Sequence, residues 1–266
     1  MPRPRFHPTT SLLLAASLMA LAPIAARAEI QSETIDYQDG DTALKGHLYY
    51  DDSIEGKRPG VLVVHEWWGL NDYAKKRAEM LAGLGYVAFA ADMYGDDKVT
   101  THAADAKGWM QQITSNVEAW RDRAQAGLDV LKGVEQVDPD KLAAIGYCFG
   151  GATVMQLAYS GADIDGVVSF HGSMPPAPEG ADIKAKVLAA HGYQDSFVPP
   201  ETVDAFEQSL SAAGADWELV VYSDTRHGFT NPDAAKYGIP NVEYNPEADR
   251  RSWARMQAFL DEIFQD

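Results

Sequence analysis

The sequence predicts an α/β fold, with a mainly parallel central sheet and helices on both faces. Three observations lead there. Short, almost wholly apolar runs recur at Gly60–Val64, Tyr86–Ala91, Leu142–Ile145, Gly166–Phe170 and Lys186–His191, and runs of that length and composition suit strands covered on both faces. Between several of them lie longer segments whose apolar residues follow a helical period, as amphipathic helices require. The alternation continues to the C-terminus, which implies parallel pairing through crossover connections.

Taken in order, Thr34–Tyr37 and Leu44–Tyr50 form a hairpin around the turn at Asp39-Gly40-Asp41. After the strand Gly60–Val64, Asn71 caps a helix reaching about Leu84, with Tyr73, Ala74, Arg77, Met80, Leu81 and Leu84 near helical spacing. The polar stretch Asp92–Ser115 is expected to be a loop with a short helix. Val117, Trp120, Ala124, Leu128 and Leu131 mark one face of a helix that ends at Gly133. The strand Leu142–Ile145 runs at once into a helix of small residues from Phe149 to Tyr159. Thr202–Leu210 is helical, and Trp217–Tyr222 is the last strand. Asn245 caps a final helix with Pro246 at its first position and Glu247 in its first turn. No internal repeat or interdomain linker interrupts residues 29–266, which are expected to form one domain.

Residues 1–28 have the order of a secretory signal peptide. Arg3 and Arg5 make the start positive, Ser11–Ile24 is mostly apolar, and Ala26-Arg27-Ala28 fits a small-residue cleavage site. The apolar run is short for a membrane span. Pro4 splits the arginines of a twin-arginine signal, and no Cys follows the cleavage site to carry a lipid. Export is therefore expected, to the periplasm if the organism is Gram-negative. Loss of the leader removes three arginines and no acids, leaving 19 basic against 39 acidic side chains. Such a surface repels nucleic acid and anionic membranes. A monomer acting on a small molecule is expected.

The chain has one cysteine, so no disulfide forms within it. A lone Cys is ordinarily a small apolar residue of the core, but this one sits in Gly146-Tyr147-Cys148-Phe149-Gly150-Gly151, between a buried strand and a helix. That is the form of a nucleophile elbow, G-x-Nu-x-G. The turn is cramped, and glycines two residues either side of the nucleophile relieve the collision. The following helix directs its amides at Cys148, favouring thiolate and oxyanion. In an α/β-hydrolase fold the acid and the histidine follow the nucleophile in that order. Asp195 stands just after the strand Lys186–His191, and His227 after Trp217–Tyr222, at strand ends where sites in open sheets form. His227 is placed to accept the thiol proton, with Asp195 fixing its tautomer. Asp224 reads as a turn residue and His171 and His191 as structural. Ser169 and Ser173 lack an elbow's glycines, and His47 and His102 have no partners in the sequence.

His65-Glu66-Trp67-Trp68-Gly69 closes the strand Gly60–Val64, where the fold supplies its second oxyanion-hole amide, here from Trp67, the first coming from Phe149. The string approaches H-E-x-x-H, but Gly69 replaces the second ligand, so no metal is expected. Trp68 belongs either to the pocket or to the core.

H-E-W-W-G, G-Y-C-F-G-G, H-G-x-x-D and H-G-F, in this order from about Ile35 to Phe264, resemble the dienelactone hydrolase family. The resemblance implies an ester or lactone hydrolase without cofactor, with a triad of Cys148, Asp195 and His227. It implies too that Glu66 faces the thiol and holds the resting nucleophile poorly reactive. The arginines that clamp the dienelactone carboxylate in well-known members correspond to Gly95 and Asn231 here. A less charged ester or lactone is therefore expected, bound among Trp67, Tyr94, Tyr147 and Phe229. A non-catalytic binding protein, an acyltransferase and a peptidase share the same scaffold.

Overall fold

The computed structural model describes residues 1–2 and 29–265. The leader assigned to residues 1–28 thus falls almost wholly outside the described residues. Eight strands form one sheet in the order β1-β2-β4-β3-β5-β6-β7-β8. The hairpin of β1 (Ile30–Asp39) and β2 (Thr42–Asp51) joins antiparallel to β4 (Val87–Ala91). The others, β3 (Arg58–Val64), β5 (Val137–Tyr147), β6 (Gly166–Phe170), β7 (Lys186–Gly192) and β8 (Trp217–Tyr222), are parallel to their neighbours.

Side chains alternate between the faces of each strand, so one strand feeds two cores. Leu62 and Val64 of β3 join a core with α3 (Val117–Lys132), α4 (Phe149–Tyr159) and α5 (Pro200–Ala212), through Trp120, Leu128, Val154 and Phe206. Val61 and Val63 face the other way, against Ala74 and Leu81 of α1 (Asp72–Ala82) and Met256 and Leu260 of α6 (Pro246–Gln265). Covering both faces explains why the central strands are apolar throughout rather than alternating. The chain is a mostly parallel α/β sheet of the α/β-hydrolase type.

Three elements differ from expectation. The stretch 92–115 contains a full helix, α2 (Ala103–Thr114), in which Ala106 alone is fully buried and Trp109, Met110 and Ile113 pack partly buried against the core. β5 begins at Val137, before the apolar run, and its pairing with β3 shifts register between Pro59 and Gly60. A short 3-10 helix at Ala234–Tyr237 lies in the segment after His227. Among the described residues no helix is long and apolar enough to cross a membrane.

Candidate active site

The end of β5 turns directly into α4 at Cys148, whose backbone stands at φ 55°, ψ −113°. A non-glycine residue in that region is strained and persists only where its surroundings fix it. Its N–H donates to the Phe170 carbonyl at 3.0 Å. The flanking glycines are required by contact. A Cβ on Gly146 would sit 2.0 Å from the Gly150 oxygen, and one on Gly150 would sit 2.2 Å from the Val64 oxygen. The turn thus presents the cysteine at the C-terminal edge of the sheet, half-buried.

The loop after β8 brings His227 over this turn. Its Nε2 lies 3.1 Å from Cys148 Sγ, and its Nδ1 lies 2.8 Å from Asp195 Oδ2. Asp195 follows β7, is buried, and accepts the Phe197 amide through its other oxygen, Oδ1, at 2.9 Å. Burial alone would lower the basicity of His227, but the Cys148 sulfur and the Asp195 carboxylate reverse this and hold it well above the usual histidine range. The imidazole is thereby biased toward imidazolium. Ring contacts with His171 at 5.2 Å and Phe197 at 5.1 Å confine the imidazole.

Behind His227 lies a buried polar network that the sequence did not disclose. His171 Nε2 and the Thr230 hydroxyl are 2.7 Å apart, and Thr230 and the Tyr73 hydroxyl 2.6 Å. Arg77 donates to Tyr73, to the Thr230 carbonyl and to Asp249. Burial, then the positive charges of His227 and Arg77, keep His171 well below the ordinary histidine range, hence neutral. The one hint in the sequence was an arginine, Arg77, on the apolar side of α1.

Glu66 follows β3 and is buried. Asn231 Nδ2 donates to its Oε2 at 2.6 Å. Burial pushes its pKa up to about 7, against the opposing pull of the Asn231 bond and the charges of His227 and Arg77. Glu66 and Cys148 line the same cavity, but the carboxylate bonds to Asn231 and the thiol to His227.

That cavity encloses about 410 Å³ and is largely apolar, with Trp67, Trp68, Met110, Trp120, Phe197 and Ile239 in its wall. A larger groove of about 590 Å³ runs along the β1–β2 hairpin, lined by Tyr37, Lys45 and Asp97, and contains none of the residues above. Chemistry therefore locates the site in the smaller space.

Three expected pocket residues lie elsewhere. Tyr147 is the last residue of β5, and alternation sends its fully buried side chain to the α1 face, stacked on Phe170 at 4.9 Å. Phe229 is fully buried against His171 and Tyr222. Tyr94 packs behind the wall between His65, Trp109 and Phe149, its hydroxyl donating to the Trp67 carbonyl at 3.2 Å. Their aromatic character marked core rather than ligand contact. Trp68 does both jobs, lining the cavity and stacking on Tyr237 at 4.0 Å. Gly95 adopts φ 75° against the β1–β2 hairpin, where a Cβ would meet the Ala43 oxygen at 2.9 Å. His191 and Asp224 do not contact the thiol; Asp224 is exposed in a turn with φ 49°. Among the described residues no cluster of His, Cys, Asp and Glu has the form of a metal site.

The sheet and the elbow define an α/β-hydrolase. Residues 44–264 match the model of the dienelactone hydrolase family, and the chain belongs to it. Its fold is similar to that of a dienelactone hydrolase-like promiscuous phosphotriesterase, P91, from metagenomic libraries. That structure shows a TM-score of 0.87 and 41% identity over 90% of this chain and 100% of the other. A structure named m3DLH is similar at TM-score 0.86 and 39% identity, over 88% and 99% of the two chains. Protein usf of Aquifex pyrophilus is 30% identical over 211 residues, 77% of this chain and 88% of its own. The family makes this chain an ester or lactone hydrolase.

Proposed function

We propose that the protein cleaves a carboxylic ester or lactone by covalent catalysis, with Cys148 as nucleophile, His227 as general base and acid, and Asp195 as the group that orients it. The observation carrying this is the unbroken chain from sulfur through imidazole to carboxylate, 3.1 Å and then 2.8 Å, at the wall of an apolar cavity. The Cys148 thiolate attacks the carbonyl carbon, and the amides of Phe149 and Trp67 hold the oxyanion. Phe149 opens α4, where a helix leaves its first amides without internal partners. Collapse of the tetrahedral species expels the alcohol oxygen, which takes the proton from Nε2 of His227, and leaves an acyl-thioester. His227 then removes a proton from water. The resulting hydroxide attacks the thioester, releasing the carboxylic acid and restoring thiolate and imidazolium.

Glu66 modulates this cycle through charge. Ionised, it disfavours a second negative charge on the neighbouring sulfur; neutral or paired with a cation, it does not. Resting reactivity is thereby held down, which suits a lone thiol carried by the leader of residues 1–28 into an oxidising compartment. No cofactor takes part. The protein acts as a monomer on a small ester or lactone.

The test is hydrolysis of 4-nitrophenyl butyrate, with paraoxon added to the panel because the metagenomic relative is described as a phosphotriesterase. Cys148→Ala is expected to lose at least roughly a thousandfold in kcat with an unchanged melting temperature. Retention of ordinary activity by that variant would remove the nucleophile from the proposal.

A further inference from the structure

We propose that the cavity beside Cys148 receives a cationic group, of the quaternary ammonium kind, so that the favoured substrate is an ester or lactone carrying one. This deepens the hydrolase reading and rests on it for the catalytic step, though not for binding.

The wall supplies the first reason. Trp67, Trp68, Trp120 and Phe197 all face this space, and aromatic faces attract cations that have shed their water. Such a wall serves a neutral apolar group equally well, so charge has to decide.

Glu66 decides it. The side chain is only 5% exposed, Asn231 satisfies one of its oxygens, and the other has no hydrogen-bond partner among the described residues. That oxygen belongs to the only carboxylate lining the cavity among the described residues. Among the described residues no lysine or arginine lines the space. Arg77, whose charge reaches Glu66, is committed to Asp249 at 2.5 Å. The positive charge of His227 is matched by Asp195 and by the sulfur it bonds. A buried carboxylate facing an apolar cavity, hydrogen-bonded only to a neutral amide, is costly. A cation arriving between it and the tryptophans removes that cost. An anionic substrate raises it.

The whole molecule points the same way. The chain carries a net charge of −17, a field that concentrates cations near the surface and repels anions.

The experiment compares butyrylthiocholine with S-(3,3-dimethylbutyl) thiobutyrate, in which carbon replaces the charged nitrogen. In parallel, phenyltrimethylammonium and tert-butylbenzene are titrated against tryptophan fluorescence. For the wild-type protein kcat/KM should favour the cationic ester by about tenfold or more, equivalent to about 1.4 kcal/mol, and the cationic probe should bind more tightly. In Glu66→Gln the ratio of cationic to neutral substrate should fall by about threefold or more, whatever happens to the absolute rates. Phe197→Leu, a change at a 53% exposed ring, should lower the ratio about threefold. Equal handling of both members of each pair by the wild-type protein would overturn the proposal while leaving a hydrolase. Glu66-dependent binding of phenyltrimethylammonium with no turnover of either ester would sustain it while removing the hydrolase.

Discussion

Substituting Asp195→Asn removes one charge and almost no volume from the site, so its effect isolates the electrostatic work of the carboxylate. Asp195 Oδ2 lies 2.8 Å from Nδ1 of His227, with its side chain out of solvent. At an effective dielectric of about 20, a full charge pair at that separation is worth about 6 kcal/mol as an upper limit. An amide restores part of this by hydrogen bonding, so about half is expected to be lost in the imidazolium-bearing states. Three to four kcal/mol corresponds to roughly a hundredfold to a thousandfold in kcat. The assay is 4-nitrophenyl butyrate hydrolysis at saturation, with the melting temperature confirming that the fold survives. The rate of Cys148 alkylation by iodoacetamide against pH supplies a second readout. Because Asp195 stabilises the imidazolium beside the sulfur, the alkylation midpoint should move to higher pH in the variant. Activity within threefold of wild type, with an unmoved alkylation midpoint, would refute the coupling of carboxylate, imidazole and sulfur.

Three further outcomes follow from the same contacts. Burial raises the Glu66 pKa to about 7, above its unfolded value, so the folded state holds a proton that the unfolded chain releases. Stability from this group is present at acid pH and is lost as pH rises toward and through about 7. Glu66→Gln should therefore gain stability relative to wild type between pH 5 and pH 8, by up to roughly 3 kcal/mol, read from urea midpoints. A gap that narrows over that range contradicts the sign. Gly150→Ala would drive a methyl to 2.2 Å from the Val64 oxygen, and a thermal melt should show a fall of many degrees together with loss of activity. Thr230→Val strips His171 and Tyr73 of their shared partner. It should cost about 2 kcal/mol in a denaturant titration and lower kcat more than it raises KM, because the network abuts His227 rather than the cavity.

Much of the fold was legible because buried parallel strands leave short apolar runs and helices leave a period. α4, β6 and β8 coincide with the segments expected from the sequence. α2 was not legible as a full helix, since only Ala106 is fully buried and its larger apolar residues, Trp109, Met110 and Ile113, are only partly so. The start of β5 was hidden by Asp138, Asp140 and Lys141: Asp138 pairs with Pro59, and Asp140 and Lys141 fall where the register shifts, so no apolar run marks them. In the site, motif order singled out Cys148, Asp195 and His227, which the fold brings within hydrogen-bonding distance. The bond from Asn231 to Glu66 spans 165 positions, and no local pattern announces such a pairing. Tyr94, Tyr147 and Phe229 illustrate the converse. An aromatic residue beside a catalytic motif has two faces of the sheet available, and strand alternation, not proximity in sequence, settles which one it occupies.

The most direct measurement is intact-protein and peptide mass spectrometry after rapid acid quench during turnover of 4-nitrophenyl butyrate. A butyryl adduct should appear on the peptide containing Cys148, should persist longer in Asp195→Asn, and should be released by hydroxylamine as a thioester is. An adduct on another residue, or turnover at full rate with no adduct on that peptide at any quench time, would contradict covalent catalysis by this cysteine.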